Sequence, residues 1–339
     1  MAEKQEMTIN EIAAMAGVSR ATVSRYLNQG YVSEEKRERI RKVIEETGYQ
    51  PSSQAQMLRS RKTRLIGVII PKINSHTISR MVGGISRVLA EYNYQLILAN
   101  TENNEEEELK YLKLFQKNRV DGVILSGTIF TRKHQQLIRE YQVPLVILGQ
   151  RMAGQSCVYQ DDFHAAREIA GMLLEKCRCL CYIGVTKKDA AAGRSRQDGV
   201  EAAFREHGTE LEADRTEEGA FNVEAGIGAA QKLLERHPET DGLLCATDEL
   251  AIGAMLYLKA QGKKIPGDIR VAGFGDTPMA QIVEPNLTSV HYYYKTSGEE
   301  AARLMMNLLE ADRPVHKEIK MGFELVSRES SGVCKINKN

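Results

Sequence analysis

The stretch AGVSRATVSRYLN, residues 16–28, places two arginines and several hydroxyl side chains close together. An arginine can donate two hydrogen bonds to a guanine base, and a small apolar residue can contact the methyl group of thymine. Hydroxyl side chains in such a stretch contact phosphates or cap the backbone. Laid in a major groove as a helix, the stretch presents Arg20 and Ala21 to the base edges, with Arg25 one turn further along. These residue types therefore predict contacts with DNA.

The sequence around this stretch predicts the three helices of a helix-turn-helix domain. Thr8 and Glu11 form a capping box before apolar residues spaced by three and four, and Gly17 ends that first helix. Ser19 caps the second helix, and VSEEKRERIRKVIEETGY supplies a third. The short connection between the first two helices is typical of the DNA-binding motif. The other interpretation is a three-helix bundle with a solvated charged face.

The distribution of charge favours the DNA interpretation. Residues 1–64 hold 12 Lys and Arg against 8 Asp and Glu, whereas the rest of the 339-residue chain holds 34 against 37. A basic head on a mildly acidic body is typical of a protein whose head binds a polyanion. The residues of the head expected to contact DNA are Thr8, Ser19, Arg20, Ala21, Thr22, Ser24, Arg25 and Asn28.

Composition and cysteine usage limit the other function classes. No apolar run is long enough to span a membrane and the N-terminus lacks the core of a signal peptide, so we expect a cytoplasmic protein without a membrane partner. The spacing of Cys177, Cys179 and Cys181 puts them on one face of a strand, and no second half of a metal motif follows. We therefore expect buried thiols, no metal site and no cofactor.

After residue 64 the chain alternates short apolar runs with helical patterns. Runs such as LIGVII and VILSG are almost wholly apolar, which predicts parallel sheets covered on both faces by helices. Because the series restarts after Asp161, the expected fold class is α/β, with an all-α head followed by two doubly wound parallel-sheet lobes. Ligands of such sheets bind at the carboxyl ends of the strands. Polar residues that follow predicted strands or begin a helix are Lys72, Ser75, His76, Gln150, Asp161 and Asp162.

Two segments, TINEIAAMAGVSRATVSRYLN and GYQPSSQAQMLRSRKTRLIGVIIP, resemble the lac-repressor-type family of bacterial transcription regulators. The similarity runs from Thr8 to about Ser330, and it implies that PSSQAQML is a hinge helix. It also implies that Leu58 is wedged into the minor groove and that Ala55 faces the groove. An apolar wedge partly unstacks a base step and bends the duplex, and a helix this short is not stable alone in water. Because one head reads only a half-site, we expect a homodimer on a pseudo-palindromic operator.

The same resemblance implies a body similar to periplasmic sugar-binding proteins, with a small effector in the cleft between the lobes. Arg196 matches the family's effector-binding arginine, whose planar guanidinium suits vicinal hydroxyls or a phosphate. Asp248 matches the family's aspartate that accepts hydrogen bonds from sugar hydroxyls. Phe221 lies where some members carry an aromatic that packs against the ligand.

The charge and identity of the effector stay open at this point. Lys187, Lys188 and Arg194 near the mouth of the second lobe are either solvated charges or the mark of a phosphorylated effector. The sequence also departs from the family, with Gly275 where an aspartate is common and Tyr292 where glutamine is frequent. The effector of a distant relative therefore cannot be assumed. The full set expected to bind the effector is Lys72, Ser75, His76, Gln150, Asp162, Arg196, Phe221 and Asp248.

The expected function is a sequence-specific repressor of a carbohydrate operon, controlled by a small sugar or sugar phosphate. PKINSHTISRMVGGI, LGQ and SCVYQDD resemble the sucrose-operon repressors within the family. The alternatives are a corepressor-dependent global or purine-type regulator of this family, a sugar-binding module and a sugar kinase. The helix-turn-helix disfavours a transport module, and the lack of a Walker A motif disfavours a kinase, so no enzyme activity is expected. The expected domains are residues 1–50 (head), 51–64 (hinge helix and linker) and 65–330 (body), with a first lobe of about 65–160 plus 292–325 and a second lobe of about 161–291.

Overall fold

The computed structural model describes residues 7–28, 30–49, 62–313 and 315–332. The chain divides into two compact units, Met1–Thr63 and Arg64–Asn339. The expected hinge helix, with Ala55 and Leu58, lies outside the described residues. The first unit is the head and the second is the body.

The head contains three short helices, α1 (Ile9–Met15), α2 (Arg20–Leu27) and α3 (Glu34–Thr47). The predicted capping box on α1 is confirmed, because the Thr8 backbone N–H donates to the Glu11 carboxylate at 2.6 Å and the Thr8 hydroxyl accepts from the Glu11 N–H. These bonds satisfy backbone donors that the first turn of a helix leaves unpaired.

Glycines and apolar residues fix the arrangement of the three helices. Gly17, in the turn after α1, has a φ of 62°, a conformation that glycine adopts at low cost. Ile12, Val23 and Ile40, one from each helix, are fully buried against one another in the core of the head. This core leaves the opposite face of α2 exposed.

The first lobe of the body is a six-stranded sheet in which all strands pair in parallel. In spatial order the strands are β11 (Glu318–Met321), β5 (Ser156–Gln160), β4 (Leu145–Leu148), β3 (Gly122–Leu125), β1 (Leu65–Ile70) and β2 (Gln95–Asn100). Its helices are α4 (His76–Glu91), α5 (Glu105–Lys117), α6 (Arg132–Arg139) and α12 (Tyr294–Glu310). Side chains of α4 and α12 share one buried cluster and those of α5 and α6 another, so both faces of the sheet are covered.

The second lobe repeats this plan with one antiparallel edge. In spatial order its strands are β12 (Phe323–Val326), β10 (Thr288–Tyr292), β9 (Arg270–Phe274), β8 (Gly242–Cys245), β6 (Leu180–Gly184) and β7 (Thr216–Glu218). Its helices are α7 (Asp162–Leu174), α8 (Arg196–Glu206), α9 (Val223–Arg236), α10 (Asp248–Ala260) and α11 (Pro278–Ile282), with a π-helical turn Ala190–Ser195 directly before α8. The predicted fold of two parallel-sheet α/β lobes is confirmed.

The expected lobe boundaries need one correction near the C-terminus. The expected first lobe included residues 292–325, but β12 lies in the second sheet, where Phe323 pairs with Tyr292 in an antiparallel ladder. Tyr292 itself ends β10 of that sheet. The chain therefore crosses between the sheets after β5, after β10 and again between β11 and β12.

The three closely spaced cysteines are buried free thiols, as expected. Cys177, Cys179 and Cys181 are 8, 5 and 0% exposed, although only Cys181 lies within a strand. Burial raises the pKa of Cys181 to about 12, which keeps its thiol protonated and unreactive. In the described part of the chain, no group of three or more His, Cys, Asp or Glu residues is placed to hold a metal ion. No helix there is long and apolar enough to cross a membrane.

Candidate functional site

A cavity of about 420 Å³ lies at the carboxyl ends of the strands of both sheets. Residues from the first lobe that follow β1, β3 and β4 line one side, and residues that follow β6, β8 and β9 line the other. This is the edge at which ligands of parallel α/β sheets bind, because helix N-termini and loops meet there. The cavity is therefore the candidate effector site.

A buried ion pair forms part of the wall of this cavity. The Nε of Arg196, at the start of α8, donates to the Asp162 carboxylate at 2.7 Å, and both side chains are less than 10% exposed. The hydroxyl of Tyr292 donates to the same carboxylate oxygen at 3.0 Å. The Asp162 carboxylate raises the pKa of Arg196 well above its ordinary value, even though burial alone lowers it. Arg196 therefore stays charged, and its hydrogen bond to Asp162 holds it in position.

The Arg196 guanidinium lies over two aromatic rings. Its central carbon lies 4.8 Å from the centre of the Phe274 ring and 5.3 Å from that of Tyr292. A second nitrogen donates to the carbonyl oxygen of Ala246, after β8. Stacking and hydrogen bonding together leave a planar donor with little freedom to move, which is the kind of group that orients a ligand.

Six of the eight residues expected to bind an effector line the cavity. They are Lys72, Ser75, Gln150, Asp162, Arg196 and Phe221. The Gln150 amide donates to the carbonyl oxygens of Gly127 and Thr128, which braces the loop after β3. Phe221 is 38% exposed and offers an apolar ring surface at the cavity.

Asp248 lies beneath the cavity wall rather than in it. Its carboxylate accepts hydrogen bonds from the Thr277 N–H at 2.7 Å and the Ser289 hydroxyl at 2.6 Å, and the residue is fully buried. Thr247 is the N-cap of α10, and the lining residues at this point are Thr247 and Glu249. Burial raises the pKa of Asp248 to about 6 against the effect of those bonds. The geometry thus assigns Asp248 a part in holding the loop that carries Thr277.

His76 and the three predicted mouth cations also lie outside the lining. His76 is the first residue of α4, and the lining residues of that helix are Thr77, Ile78 and Met81. Lys187, Lys188 and Arg194 are not among the described residues that line the cavity, and the Lys187 ammonium lies 3.9 Å from the Glu201 carboxylate. These positions therefore offer no evidence for an anionic effector.

Several lining residues were missed by the sequence reasoning. Gln160, the last residue of β5, is 5% exposed, and its amide oxygen and nitrogen have no hydrogen-bond partner within the described part of the chain. Asp189 caps the π-helical turn by accepting from two N–H groups at 2.9 Å, and burial raises its pKa to about 6. Gln160 could have been found as a polar residue at the end of a strand. SCVYQ, however, is too mixed in polarity to be predicted as a buried strand.

The predicted DNA-contacting residues of the head lie at its surface. Arg20, Ala21 and Arg25 are exposed on α2, and the spacing of four residues places Ala21 and Arg25 on the same face. The Ser19 and Thr22 hydroxyls lie 2.9 Å apart at the start of α2, where Ser19 caps the helix. The assignment of these residues to DNA stays a prediction.

Two family models together match nearly the whole chain. The model for periplasmic binding proteins and the sugar-binding domain of the LacI family matches residues 63–329, and that for bacterial regulatory proteins of the lacI family matches residues 8–52. The chain is 32% identical over 320 residues to the sucrose operon repressor of Staphylococcus xylosus, which covers 93% of this chain and 99% of that protein.

Solved structures show the same fold. The structure of a transcriptional regulator CelR–cellobiose complex is 28% identical, with a TM-score of 0.74, and the match covers 96% of this chain and 99% of that one. The lac repressor dimer bound to operator and the anti-inducer ONPF has a TM-score of 0.87 over the same shares, and at 21% identity it supports the fold alone. The relatives are transcription regulators and not enzymes. The chain therefore belongs to the lacI family of bacterial regulatory proteins.

Proposed function

We propose that the protein represses a carbohydrate-utilisation operon and that a small sugar or sugar phosphate bound in the cleft releases it from its operator. The observation that carries the proposal is the fixed Arg196–Asp162 pair in a cavity shared by both lobes. A planar guanidinium and a carboxylate in that position match the donors and acceptors of neighbouring sugar hydroxyls.

The names of the relatives support a disaccharide as the effector. One relative is a sucrose operon repressor, and a structural neighbour is a regulator in complex with cellobiose. A cavity of about 420 Å³ is within the range of small-ligand sites. Sucrose and cellobiose are therefore the first ligands to test.

A ligand that contacts both lobes changes their relative arrangement only if it binds one arrangement of the lobes more tightly than another. A coupling of about 1–3 kcal/mol is enough to change DNA affinity severalfold or more. We propose that the expected hinge segment, residues 51–58, transmits this change to the heads. Because one head reads only a half-site, we propose a two-fold dimer on a pseudo-palindromic operator. Because a repressor of this kind acts on chromosomal DNA, we propose a cytoplasmic location for the protein.

The test starts from an operator duplex selected out of a random pool by the full-length protein. Fluorescence anisotropy at constant salt then follows operator binding during titration with sucrose or cellobiose. Constant salt is required because phosphate contacts make affinity steeply salt-dependent. The proposal predicts release by a sugar. Operator binding that no sugar changes would contradict it, and tighter binding with a sugar would reverse the direction of control.

A further inference from the structure

Two buried glutamines lie at the same edge of the first sheet but differ in their hydrogen bonding. Gln150 follows β4 and Gln160 ends β5, and each is 5% exposed. The amide of Gln150 donates to two carbonyl oxygens. The amide of Gln160 has no partner for either its oxygen or its nitrogen among the described residues. Burying an amide whose oxygen and nitrogen are both unpaired is unfavourable. The stability of the folded chain alone therefore does not explain why a glutamine occupies position 160.

A ligand in the cavity is the partner within reach of Gln160, because this residue lines the cavity. An amide presents a donor at one end and an acceptor at the other, whichever way it is turned. A pair of neighbouring hydroxyls can satisfy both ends, since each hydroxyl donates and accepts. A phosphate group carries mainly acceptors, so it leaves the amide oxygen facing another oxygen.

The charges around the cavity favour the same kind of ligand. Its charged lining residues are two cations and four carboxylates, namely Lys72, Arg196, Asp162, Asp189, Glu224 and Glu249. Arg196 is already neutralised by Asp162 at 2.7 Å, which leaves Lys72 as the other cation in the described lining. The formal charges of the lining side chains therefore sum to a negative value, which disfavours an anion, while a hydroxyl can donate to carboxylates such as those of Glu224 and Glu249.

We propose that the cavity selects an uncharged ligand with neighbouring hydroxyl groups over the phosphorylated form of the same ligand, and that Gln160 is a specificity-determining residue. This inference rests on the proposed function and narrows it from sugars and sugar phosphates to neutral sugars. It assigns Gln160 a role that its place in the fold does not require.

The test pairs each neutral sugar with its phosphorylated form. Calorimetry on the full-length protein compares sucrose with sucrose 6-phosphate, cellobiose with cellobiose 6-phosphate and fructose with fructose 6-phosphate. We expect a neutral sugar to bind at least about tenfold more tightly than its phosphorylated form. A phosphorylated form that binds equally well or better would overturn the inference.

Variants locate the effect on Gln160. Gln160→Leu keeps the size of the side chain and removes both polar atoms, so we expect about a tenfold or greater loss of neutral-sugar affinity. Because the amide is unpaired in the folded chain, the same variant is expected to keep or raise the unfolding temperature. A drop in unfolding temperature with unchanged sugar affinity would show a structural role and overturn the assignment.

Two further variants serve as controls. Gln95→Leu changes an exposed strand glutamine of the same lobe that does not line the cavity, and its sugar affinity should match that of the wild type. Glu249→Gln removes one negative charge from the cavity lining, so the ratio of neutral-sugar affinity to phosphorylated-sugar affinity should fall. An unchanged ratio would contradict the charge argument.

The operator assay separates this inference from the proposed function. Release of the operator by a phosphorylated sugar alone would leave the proposed function standing and overturn the preference for neutral ligands. Operator binding unaffected by every sugar in both forms would overturn both.

Discussion

At the scale of residues, the cavity depends on groups that are far apart in sequence. Asp162 lies 34 positions from Arg196 and 130 from Tyr292, yet both hydrogen-bond to one carboxylate oxygen. The family resemblance pointed to Arg196, and a position at a predicted helix start pointed to Asp162. Neither gave any sign that the two residues pair, because the pairing depends on how the strands of the second sheet are ordered.

Breaking this pair should cost stability because it leaves a buried charge uncompensated. Asp162→Asn is expected to lower the free energy of unfolding by about 3–5 kcal/mol, since Arg196 stays buried and ionised. The matched control is Glu318→Gln, which breaks the exposed Arg151–Glu318 pair of equal length, 2.7 Å, and should cost far less because water screens the two charges. Urea unfolding measures both. Similar losses in the two variants would contradict a special contribution from the buried pair.

At the scale of elements, long apolar runs were predictable and short mixed ones were not. The runs that form β1, β3, β4, β8 and β9 read directly as buried parallel strands. The short strands β5, β7, β11 and β12 carry polar or half-buried residues and depend on pairing with distant segments. Gln160 and the crossing of β12 into the second sheet were missed for this reason.

Helix α2, whose exposed residues are predicted to contact DNA, gives an element-scale prediction. Arg20→Ala should weaken binding to the selected operator by about 1–3 kcal/mol and relax the base preference at one position, because a bidentate contact to a base is lost. Arg41→Ala is the control, since Arg41 is exposed on α3 and hydrogen-bonds to Glu38 and Glu45. Anisotropy with matched and mismatched duplexes measures both effects. Equal losses on all duplexes would assign Arg20 to phosphate contact instead.

The first turn of α10 gives a pH-dependent prediction. Burial raises the pKa of Asp248 from 3.8 to about 6, so the folded chain binds this proton more tightly than the unfolded chain. The resulting stabilisation is complete below about pH 4 and is lost as the pH rises to about 6. Asp248→Asn keeps an acceptor for the Thr277 N–H and removes the titration. Its stability relative to wild type should therefore rise between pH 4 and 6.5 in urea unfolding, and a constant difference across that range would be inconsistent with this account.

At the scale of the whole molecule, the chain runs from the head through the expected hinge to the two-lobed body. This order suits a protein in which a ligand bound by the body controls DNA binding by the head. The body places a fixed polar site where both lobes contribute residues, and three chain crossings connect those lobes. A ligand held by residues of both lobes can favour one arrangement over another. The family, the fold and the position of the cleft were predictable from motifs and strand ends. The balance of positive and negative charge in the cleft was not predictable, because it depends on which charged side chains already pair with each other.

The measurement that tests the central claim most directly is operator release by a sugar in the wild type and in a variant without the buried pair. The double variant Arg196→Met with Asp162→Leu removes both charges together, which avoids leaving either one buried alone. The account predicts that a sugar releases the wild-type protein from the selected operator at constant salt, while the double variant binds the operator and does not respond. A double variant that responds to the sugar as the wild type does would contradict the assignment of this cleft as the effector site.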